Sequence, residues 1–480
     1  MLFASISVWI LTVARMVVIR HNSFTTFDFD LGIHDQSLWL LANGKWFNTV
    51  CGLPVFGHHA SFMYLLLVPL VWIGAGPNLW NLLQVAALGL ATIPVFLIAR
   101  NRLRSEYLAS AFGIAWLLLP TTTYLAWETF HPETMAVPFL LMAYHCCTSR
   151  ADLLVATPIR RNVIPVCWVL SAMLWKEDVA VALIGLGILL IFRRQRLFGS
   201  ILVAFATLYF VVVGLWLVPR LSGGLTAYGH LYGELGSTPK EMIQTALNNP
   251  SLILERMVEN NALGYFARIT QPLSYLSVLA PLTLLMGTPQ FFINILTIND
   301  FTWSYEYHYQ AIPLVVSITA AIEGLTLLKR RVPVLARFAP VTLIVSVLAS
   351  AYAWGMLPYA PGAPPMDNFI ALDVSGWQSA LEDVGPNDVI SAQYNLVPHV
   401  THREVVYTFP NPWIRVNFFS DTSKFVDECK IQWIIVQLES LDSKSRNLLA
   451  SLVSQGSYRA VQSVAGVSTF VYSGPPCAEQ

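Results

Sequence analysis

Long apolar runs separated by short polar connections dominate the sequence as far as residue 357. A helix needs about 20 mostly apolar residues to cross a membrane, and most of these runs approach that length. They lie near residues 2–19, 78–99, 108–126, 134–148, 163–175, 178–192, 198–218, 271–298, 310–328 and 339–357. A further run over 61–74 is short, which predicts a re-entrant or interfacial segment. The pattern predicts a mostly α, polytopic membrane protein with roughly ten crossing helices.

Positive charges in the short connections predict which side each loop faces, because Lys and Arg resist translocation. Four basic connections are expected to be cytoplasmic: Arg100, Arg102 and Arg104; Arg150, Arg160 and Arg161; Arg193, Arg194 and Arg196; and Lys329, Arg330, Arg331 and Arg337. The loops expected to face outward are residues 21–60, 127–133, 175–178, 219–270 and 299–309, with the tail after Pro358. Arg15 and Arg20 lie at the outward end of the first run, where they either reach lipid headgroups or face an anionic ligand.

The sequence after Pro358 has the character of a soluble domain, because charges become frequent after a proline-rich linker. Stretches rich in β-branched and aromatic residues predict strands at 389–392, 405–407, 433–436 and 469–472, and 445–454 predicts a helix. We therefore expect a membrane domain over 1–357 and a small extracytoplasmic α/β accessory domain over 358–480. Cys429 and Cys477 could pair if that domain lies in an oxidising compartment, and the sequence leaves this open.

Composition supports a lipid-embedded chain and excludes one class of function. The chain is 55% hydrophobic and 12% charged, with a mean hydropathy of +0.57, whereas about a quarter of the residues in soluble domains are charged. Lys plus Arg and Asp plus Glu number 28 each, so there is no basic surplus for nucleic acid. The sequence also lacks a glycine-rich nucleotide loop, a His-Glu-x-x-His zinc helix and a Gly-x-Ser-x-Gly elbow.

The first outward loop has the densest group of ionisable residues. Asp28, Asp30 and Asp35 directly follow the first apolar run, and residues 37–41 predict a short interfacial helix that would hold them near headgroup level. Carboxylates in this position can take a proton from a hydroxyl or bind a divalent cation. The alternative is a solvated loop in which Asp35 caps a short helix.

Other polar clusters fall in outward loops as well. They are His58 and His59; Glu128, His131 and Glu133; Lys176, Glu177 and Asp178; and Glu306 and His308. Each one alone is compatible with an exposed turn, and the nearby aromatic residues suit either sugar stacking or an interfacial aromatic belt. The cluster at 176–178 has almost no loop around it, and ionisable groups at a membrane boundary are costly and commonly functional. One shared outward-facing cavity would explain why all the clusters fall on one side.

Several of these blocks, in order, resemble a known family. They are Phe29-Asp30-Leu31-Gly32-Ile33 with Asp35-Gln36, Gly52-Leu53-Pro54, Gly57-His58-His59, His131-Pro132-Glu133, Lys176-Glu177-Asp178 and Pro398-His399. Over nearly its whole length the chain resembles the bacterial membrane family called domain of unknown function 2079, which is grouped with the GT-C glycosyltransferases. His34 departs from the family pattern, in which an apolar or aromatic residue is expected.

This resemblance implies a GT-C-like fold and the transfer of a sugar from a polyprenyl-phosphate donor to a cell-envelope glycan, lipid or protein outside the bacterial plasma membrane. An acidic residue of the first outward loop acts in such enzymes, and Asp30 is the best match, with Asp35 next. A divalent cation, Mg²⁺ or Mn²⁺, would be held by Asp30, Asp35 or Glu133. The cationic residues Lys176, His58, His59 and Arg20 would stabilise the leaving phosphate, and the other polar residues of the clusters would bind substrate.

Two alternatives come from other functional classes. A transporter or lipid flippase would use Lys176, Glu177 and Asp178 as an ion relay, but the cytoplasmic loops contain no matching acidic cluster. A non-catalytic scaffold would present the tail domain and leave the membrane carboxylates dispensable.

Overall fold

Helices make up most of the structure, a computed structural model that describes residues 1–149, 162–223, 229–415 and 425–477. The α-helices before residue 200 begin in this order: Leu2–Asn22, Ile33–Ala42, Val55–His58, Tyr64–Trp72, Pro77–Leu90, Thr92–Leu103, Glu106–Leu118, Pro120–Trp127, Pro132–Thr148, Ile164–Met173, Val179–Phe192 and Arg196–Tyr209. Those that follow, up to the tail, are Val218–Leu221, Pro239–Asn248, Pro250–Glu259, Ala262–Thr270, Pro281–Leu284, Thr288–Ile295, Ala311–Arg331, Pro333–Ala336 and Ala339–Trp354. The predicted cytoplasmic arginines 150, 160 and 161 lie outside the described residues.

Four helical segments among the described residues are long and apolar enough to cross a membrane: Leu2–Asn22, Pro77–Leu103, Arg196–Leu221 and Asp300–Arg331. A fifth is possible if Glu106–Leu118 and Pro120–Trp127 form one span, bent by 47° where proline starts the second helix. Shorter apolar helices occupy Ile164–Met173, Val179–Phe192 and Ala339–Trp354. The other apolar runs form helices of 17 residues or fewer, so fewer segments reach full crossing length than the ten expected.

The helix Ala311–Arg331 lies at the centre of the bundle. Nearly all its residues up to Thr326 are buried, and it packs against Thr92–Leu103, Pro132–Thr148 and a short 3₁₀ segment, Leu276–Leu279. Gly324 permits the last of these contacts, because a Cβ there would lie 1.9 Å from the carbonyl oxygen of Leu276. The apolar run over 271–298 consists of such short 3₁₀ and α pieces.

The tail contains a five-stranded sheet. Its strands lie in the order Val406–Thr408, Ile390–Ala392, Trp433–Gln437, Val467–Tyr472 and Tyr458–Val464; the first three are parallel and the last two join antiparallel. Ile390 pairs with Val406 on one side and with Trp433 on the other. The helices of the tail are Met366–Ile370, Ser375–Glu382 and Ser443–Ser454. Four strands and the last helix lie where the sequence places them, and Cys429 and Cys477 form a disulfide with Cα atoms 5.5 Å apart.

The tail sheet and the first loop of the membrane domain share a hydrophobic core. This core joins Phe24, Ile33, Val50, Cys51 and Leu53 to Trp377, Ile390, Leu396, Val397, Val406 and Ile435. Polar contacts reinforce it, since Thr408 Oγ1 donates to Asp28 Oδ2 at 2.5 Å and Thr49 Oγ1 donates to the Val406 carbonyl at 2.8 Å. The segment 37–41, predicted as an interfacial helix, belongs to a longer helix, Ile33–Ala42, which is largely buried. The tail is therefore packed directly onto the first loop.

Candidate active site

A pocket of about 270 Å³ opens at the end of the bundle that carries the tail domain. Four segments meet there: the first loop, the connection before Pro132–Thr148, the 3₁₀ segment Gly229–Leu235 and the connection before Ala311–Arg331. Its lining residues are Phe29, Asp30, His34, His58, His59, Glu128, His131, Glu133, His230, Leu231, Asn299, Phe301, Tyr307, His308 and Tyr309. The pocket thus brings together predicted residues from three of the clusters and from the first loop.

Asp30 lies on a π-helical turn, Asp28–Gly32, between the first helix and the helix Ile33–Ala42. Such turns interrupt regular helix and recur at functional sites. The Asp30 side chain is 32% exposed, and its Oδ1 lies 3.2 Å from His131 Nε2. Burial disfavours the charged form, but the charges of His131 and His308 outweigh it and hold the pKa of Asp30 well below its usual range. Asp30 is therefore an ionised carboxylate facing the pocket.

The imidazole of His131 is fixed in orientation by its own loop. Its Nδ1 donates to the Thr129 carbonyl at 2.6 Å, which turns Nε2 towards Asp30. Burial opposes protonation, but Asp30 and Glu128 outweigh it and raise the pKa of His131 to about 10. In the absence of other ligands, His131 and Asp30 form an ion pair at the pocket wall.

Two buried polar side chains of the helix Pro77–Leu90 hold this loop, and neither was predicted from the sequence. Gln84 Oε1 accepts from the His131 backbone N–H at 2.7 Å, while its Nε2 donates to the Leu125 carbonyl at 2.8 Å. Asn81 Oδ1 accepts from the Phe130 N–H at 3.0 Å. Polar residues three positions apart in an apolar helix share one face and are costly in lipid, which is the signal that could have found them.

His308 connects the two carboxylates of the neighbouring loop. Its Nδ1 lies 3.0 Å from Glu128 Oε1, and its Nε2 lies 3.6 Å from Glu133 Oε1. Its ring stacks on that of His131, with centroids 3.9 Å apart and planes inclined by 17°. The stacking places the two imidazoles side by side at the pocket wall.

A second group of charges surrounds the adjoining cavity of about 160 Å³. The buried Lys176 Nζ donates to Glu133 Oε1 at 2.7 Å and lies 3.4 Å from Asp178 Oδ2. His59 Nδ1 and Glu177 Oε1 are 2.8 Å apart. Burial works against the charged amine, yet Asp178 and Glu133 raise the pKa of Lys176 above its usual value. Lys176 is thus paired with Glu133 and Asp178 and does not line the pocket.

Lys176, Glu177 and Asp178 line the adjoining cavity instead of the pocket, and three further predicted residues line neither of the two. Asp35 is fully buried at the tail interface, where Thr401 donates to it and Trp80 Nε1 donates to Oδ1 at 2.5 Å. Arg20 covers the Trp127 ring and donates to its carbonyl at 2.7 Å. Glu306 lines a separate cavity. Asp35 therefore supports the first loop, and Arg20 supports the loop that follows Trp127. Neither side chain faces the pocket.

The pocket residues that sequence reasoning overlooked come from distant loops. His230, Asn299 and Phe301 belong to connections without a distinctive local pattern, and nothing in the sequence marks them. His34, noted only as an unusual residue, is buried, and its Nδ1 lies 2.6 Å from the Tyr64 hydroxyl. Burial holds the pKa of His34 well below its usual value, which keeps this imidazole neutral.

Glu128, His131 and His308 fit a divalent metal ion. One ligand atom from each lies within 4.8 Å of the other two, and Glu128 Oε2 is buried with no hydrogen-bond partner among the described residues. The Nδ1 bond of His131 to a carbonyl is the kind of outer contact that orients metal-binding imidazoles. Two imidazoles and a carboxylate suit Zn²⁺ or Mn²⁺ better than Mg²⁺, which prefers oxygen ligands. Asp30 lies beside these three residues because it contacts His131, and Glu133 lies beside them because it is near His308. Asp35, in contrast, lies at the tail interface.

A family profile described as "Predicted membrane protein (DUF2079)" matches residues 20–469. The chain belongs to the DUF2079 family. Among solved structures it is similar to ArnT from Cupriavidus metallidurans bound to undecaprenyl phosphate, with 12% identity and a TM-score of 0.52 over 96% of this chain and 97% of ArnT. ArnT in the apo state gives the same identity and coverage with a TM-score of 0.50. No curated protein matches by sequence. These likenesses establish the expected GT-C-like fold.

Proposed function

We propose that this protein is a membrane glycosyltransferase that moves a sugar from a polyprenyl-phosphate donor to an acceptor outside the bacterial plasma membrane. The observation that carries the proposal is an ionised carboxylate, Asp30, on a loop over a pocket that also contains a candidate metal site. Further support comes from the GT-C-like fold, of which ArnT is solved with undecaprenyl phosphate. In this proposal the tail domain and the pocket lie on the extracytoplasmic side, as the positive charges at the opposite end of the bundle favour.

Asp30 acts on the acceptor. Its charged oxygens accept a hydrogen bond from the acceptor hydroxyl and orient the hydroxyl oxygen towards the anomeric carbon. As the new C–O bond forms, the bond from that carbon to the phosphate oxygen breaks. The polyprenyl phosphate leaves with the electron pair, and the hydroxyl proton moves to Asp30. Because the pKa of Asp30 is low, positioning contributes more than basicity.

The leaving phosphate needs positive charge, and the cations near the pocket are already paired. Lys176 is bonded to Glu133, and His59 to Glu177. A divalent ion held by Glu128, His131 and His308 would supply the missing charge for the phosphate oxygens. His131 must lose its Nε2 proton to bind such an ion, so metal binding and the Asp30–His131 ion pair compete.

The test uses purified protein in bilayer vesicles with undecaprenyl phosphate carrying a radiolabelled hexose or pentose. Label is followed into lipid, glycan and protein fractions of cell envelope added as acceptor. The Asp30→Asn variant is expected to lose about 100-fold or more of the transfer rate, because Asn lacks the charge that orients the acceptor hydroxyl and receives its proton. Glu306→Gln is the matched control, because Glu306 lines another cavity, and it should transfer at the wild-type rate.

Binding of unlabelled undecaprenyl phosphate, with EDTA or with added Zn²⁺ or Mn²⁺, separates the functional classes. A glycosyltransferase should bind the lipid more tightly with metal, and Glu128→Gln should abolish that difference. Full transfer by Asp30→Asn at wild-type protein level would refute the proposed role. Movement of undecaprenyl phosphate across the vesicle without transfer would identify a flippase, and no binding at all would favour a scaffold.

A further inference from the structure

A second cavity, of about 740 Å³, lies at the end of the bundle opposite the pocket. Glu133, in the pocket, is at the start of the helix Pro132–Thr148, whose 17 residues extend over about 25 Å. The helix Ala311–Arg331 likewise starts just after His308 and ends with residues that line the second cavity. The two cavities are thus separated by the length of the bundle.

Two arginines in this cavity share one carboxylate. Arg102 Nε and Arg193 Nη2 lie 2.8 Å and 2.9 Å from Glu323 Oε1, which also accepts from the Tyr144 hydroxyl at 2.9 Å. The side chains are mostly buried, with exposures of 19% for Arg102, 24% for Arg193 and 12% for Glu323. One carboxylate cannot neutralise two guanidinium groups, so a positive charge remains at the cavity wall.

The rim adds to this surplus. Arg330 and Arg331 line the same cavity and are exposed. Glu323 is the only acidic residue among the described lining residues, so four arginines and one glutamate leave a net charge of +3. Guanidinium groups bind phosphate through two parallel hydrogen bonds. An arginine-lined cavity therefore binds phosphate in preference to an uncharged ligand.

Apart from Thr283 and Thr326, the remaining wall is apolar, and part of it lies on the surface of the bundle. Leu189, Leu282 and Leu328 line the cavity, as do Leu279 and Val332, which are 44% and 41% exposed on the surface of the bundle. The close contact at Gly324 brings the segment with Leu279 against the central helix. A ligand here therefore meets arginines at one side and hydrocarbon at the other, which is the chemistry of an amphiphile with an anionic head.

We infer that this cavity binds the phosphate headgroup of an anionic membrane lipid, with the acyl chains along Leu279 and Val332. The site lies at the other end of the bundle from the proposed transfer reaction and does not depend on it. Inorganic phosphate shares the headgroup chemistry but lacks the chains, so comparing the two probes tests the apolar half of the site.

The experiment measures binding of dioctanoyl phosphatidic acid, dioctanoyl phosphatidylcholine and inorganic phosphate to the detergent-purified full chain. We expect phosphatidic acid to bind at least tenfold more tightly than either other probe. The double variant Arg330→Gln/Arg331→Gln leaves the buried cluster intact and should weaken that binding roughly 25-fold, about fivefold for each arginine near a lipid phosphate. Arg194→Gln is the matched control, because Arg194 adjoins Arg193 in sequence but does not line the cavity.

Each outcome decides the inference. Selective binding of phosphatidic acid that the double variant weakens and the control keeps would support it. Equal binding of inorganic phosphate would show a free-anion site, and equal binding of phosphatidylcholine would show unspecific uptake of lipid, so either result would overturn it. Wild-type affinity in the double variant would place the bound lipid elsewhere on the protein.

Discussion

Lys176 forms the most buried ion pair near the pocket, and its removal gives a direct measure of what the pair contributes. Its side chain is 8% exposed and that of its partner Glu133 is 6% exposed. Replacing Lys176 by Met keeps the apolar stem but leaves Glu133 and Asp178 without their shared cation. A buried charge that loses its partner must either be hydrated or take up a proton, and both cost free energy.

The expected loss is about 3 kcal/mol of folding free energy, at the lower end of the usual range for breaking a buried pair. The lower end applies because His308 Nε2 lies 3.6 Å from Glu133 and can take over part of the compensation. In the double variant Lys176→Met/Glu133→Gln the uncompensated Glu133 charge is gone. The two substitutions should therefore not add, and the double variant should be more stable than Lys176→Met alone.

The assay heats detergent-purified protein and measures the fraction that still elutes as a single species from a size-exclusion column. Lys176→Met should lower the midpoint by several degrees, with partial recovery in the double variant. Lys430→Met is the matched control, since Lys430 pairs with Asp427 at 3.6 Å while both side chains are about half exposed; exposed pairs contribute at most about 1 kcal/mol. A double variant as unstable as the sum of its single substitutions would refute the reasoning.

Two further predictions concern the tail interface and the tail itself. Burial raises the pKa of Asp28 from 3.8 to about 6, so its ionisation between those pH values destabilises the fold, by at most about 3 kcal/mol. Asp28→Asn still accepts from Thr408, so its melting midpoint should exceed that of wild type at pH 7.5 and match it near pH 4; a lower midpoint at pH 7.5 would contradict this. Under denaturing conditions, maleimide-polyethylene glycol should label four cysteines before reduction and six after it, because Cys429 and Cys477 are paired; six labels before reduction would exclude the disulfide.

The general architecture could be predicted from the sequence because it depends on local signals. Twenty apolar residues need lipid or a buried core wherever they occur, and polar residues at the ends of such runs are pushed to the bundle ends. Asp30, Glu128, His131 and His308 were found in this way. They line one pocket because the loops that carry them lie at the same end of the bundle.

Other features depend on contacts between distant parts of the chain. Asp35 looks like a loop carboxylate in sequence, and only its contact with Thr401, 366 positions later, removes it from the pocket. The strand Tyr458–Val464 was missed because it pairs on one side only and exposes most of its residues, which weakens its apolar alternation. The helices between Pro239 and Thr270 were likewise missed, since each has only nine or ten residues and falls well short of a membrane span.

The core that the first loop shares with the tail sheet has a consequence for biosynthesis. Phe24 and Ile33 leave the ribosome early, whereas Val397, Val406 and Ile435 are made more than 350 positions later. Until the strands of the tail sheet are made, the apolar side chains of the early segment lack their partners in this core, and so does the turn bearing Asp30. Chains cut short before residue 390 should accordingly insert into the membrane and yet remain inactive and prone to proteolysis, so only full-length copies acquire a finished pocket.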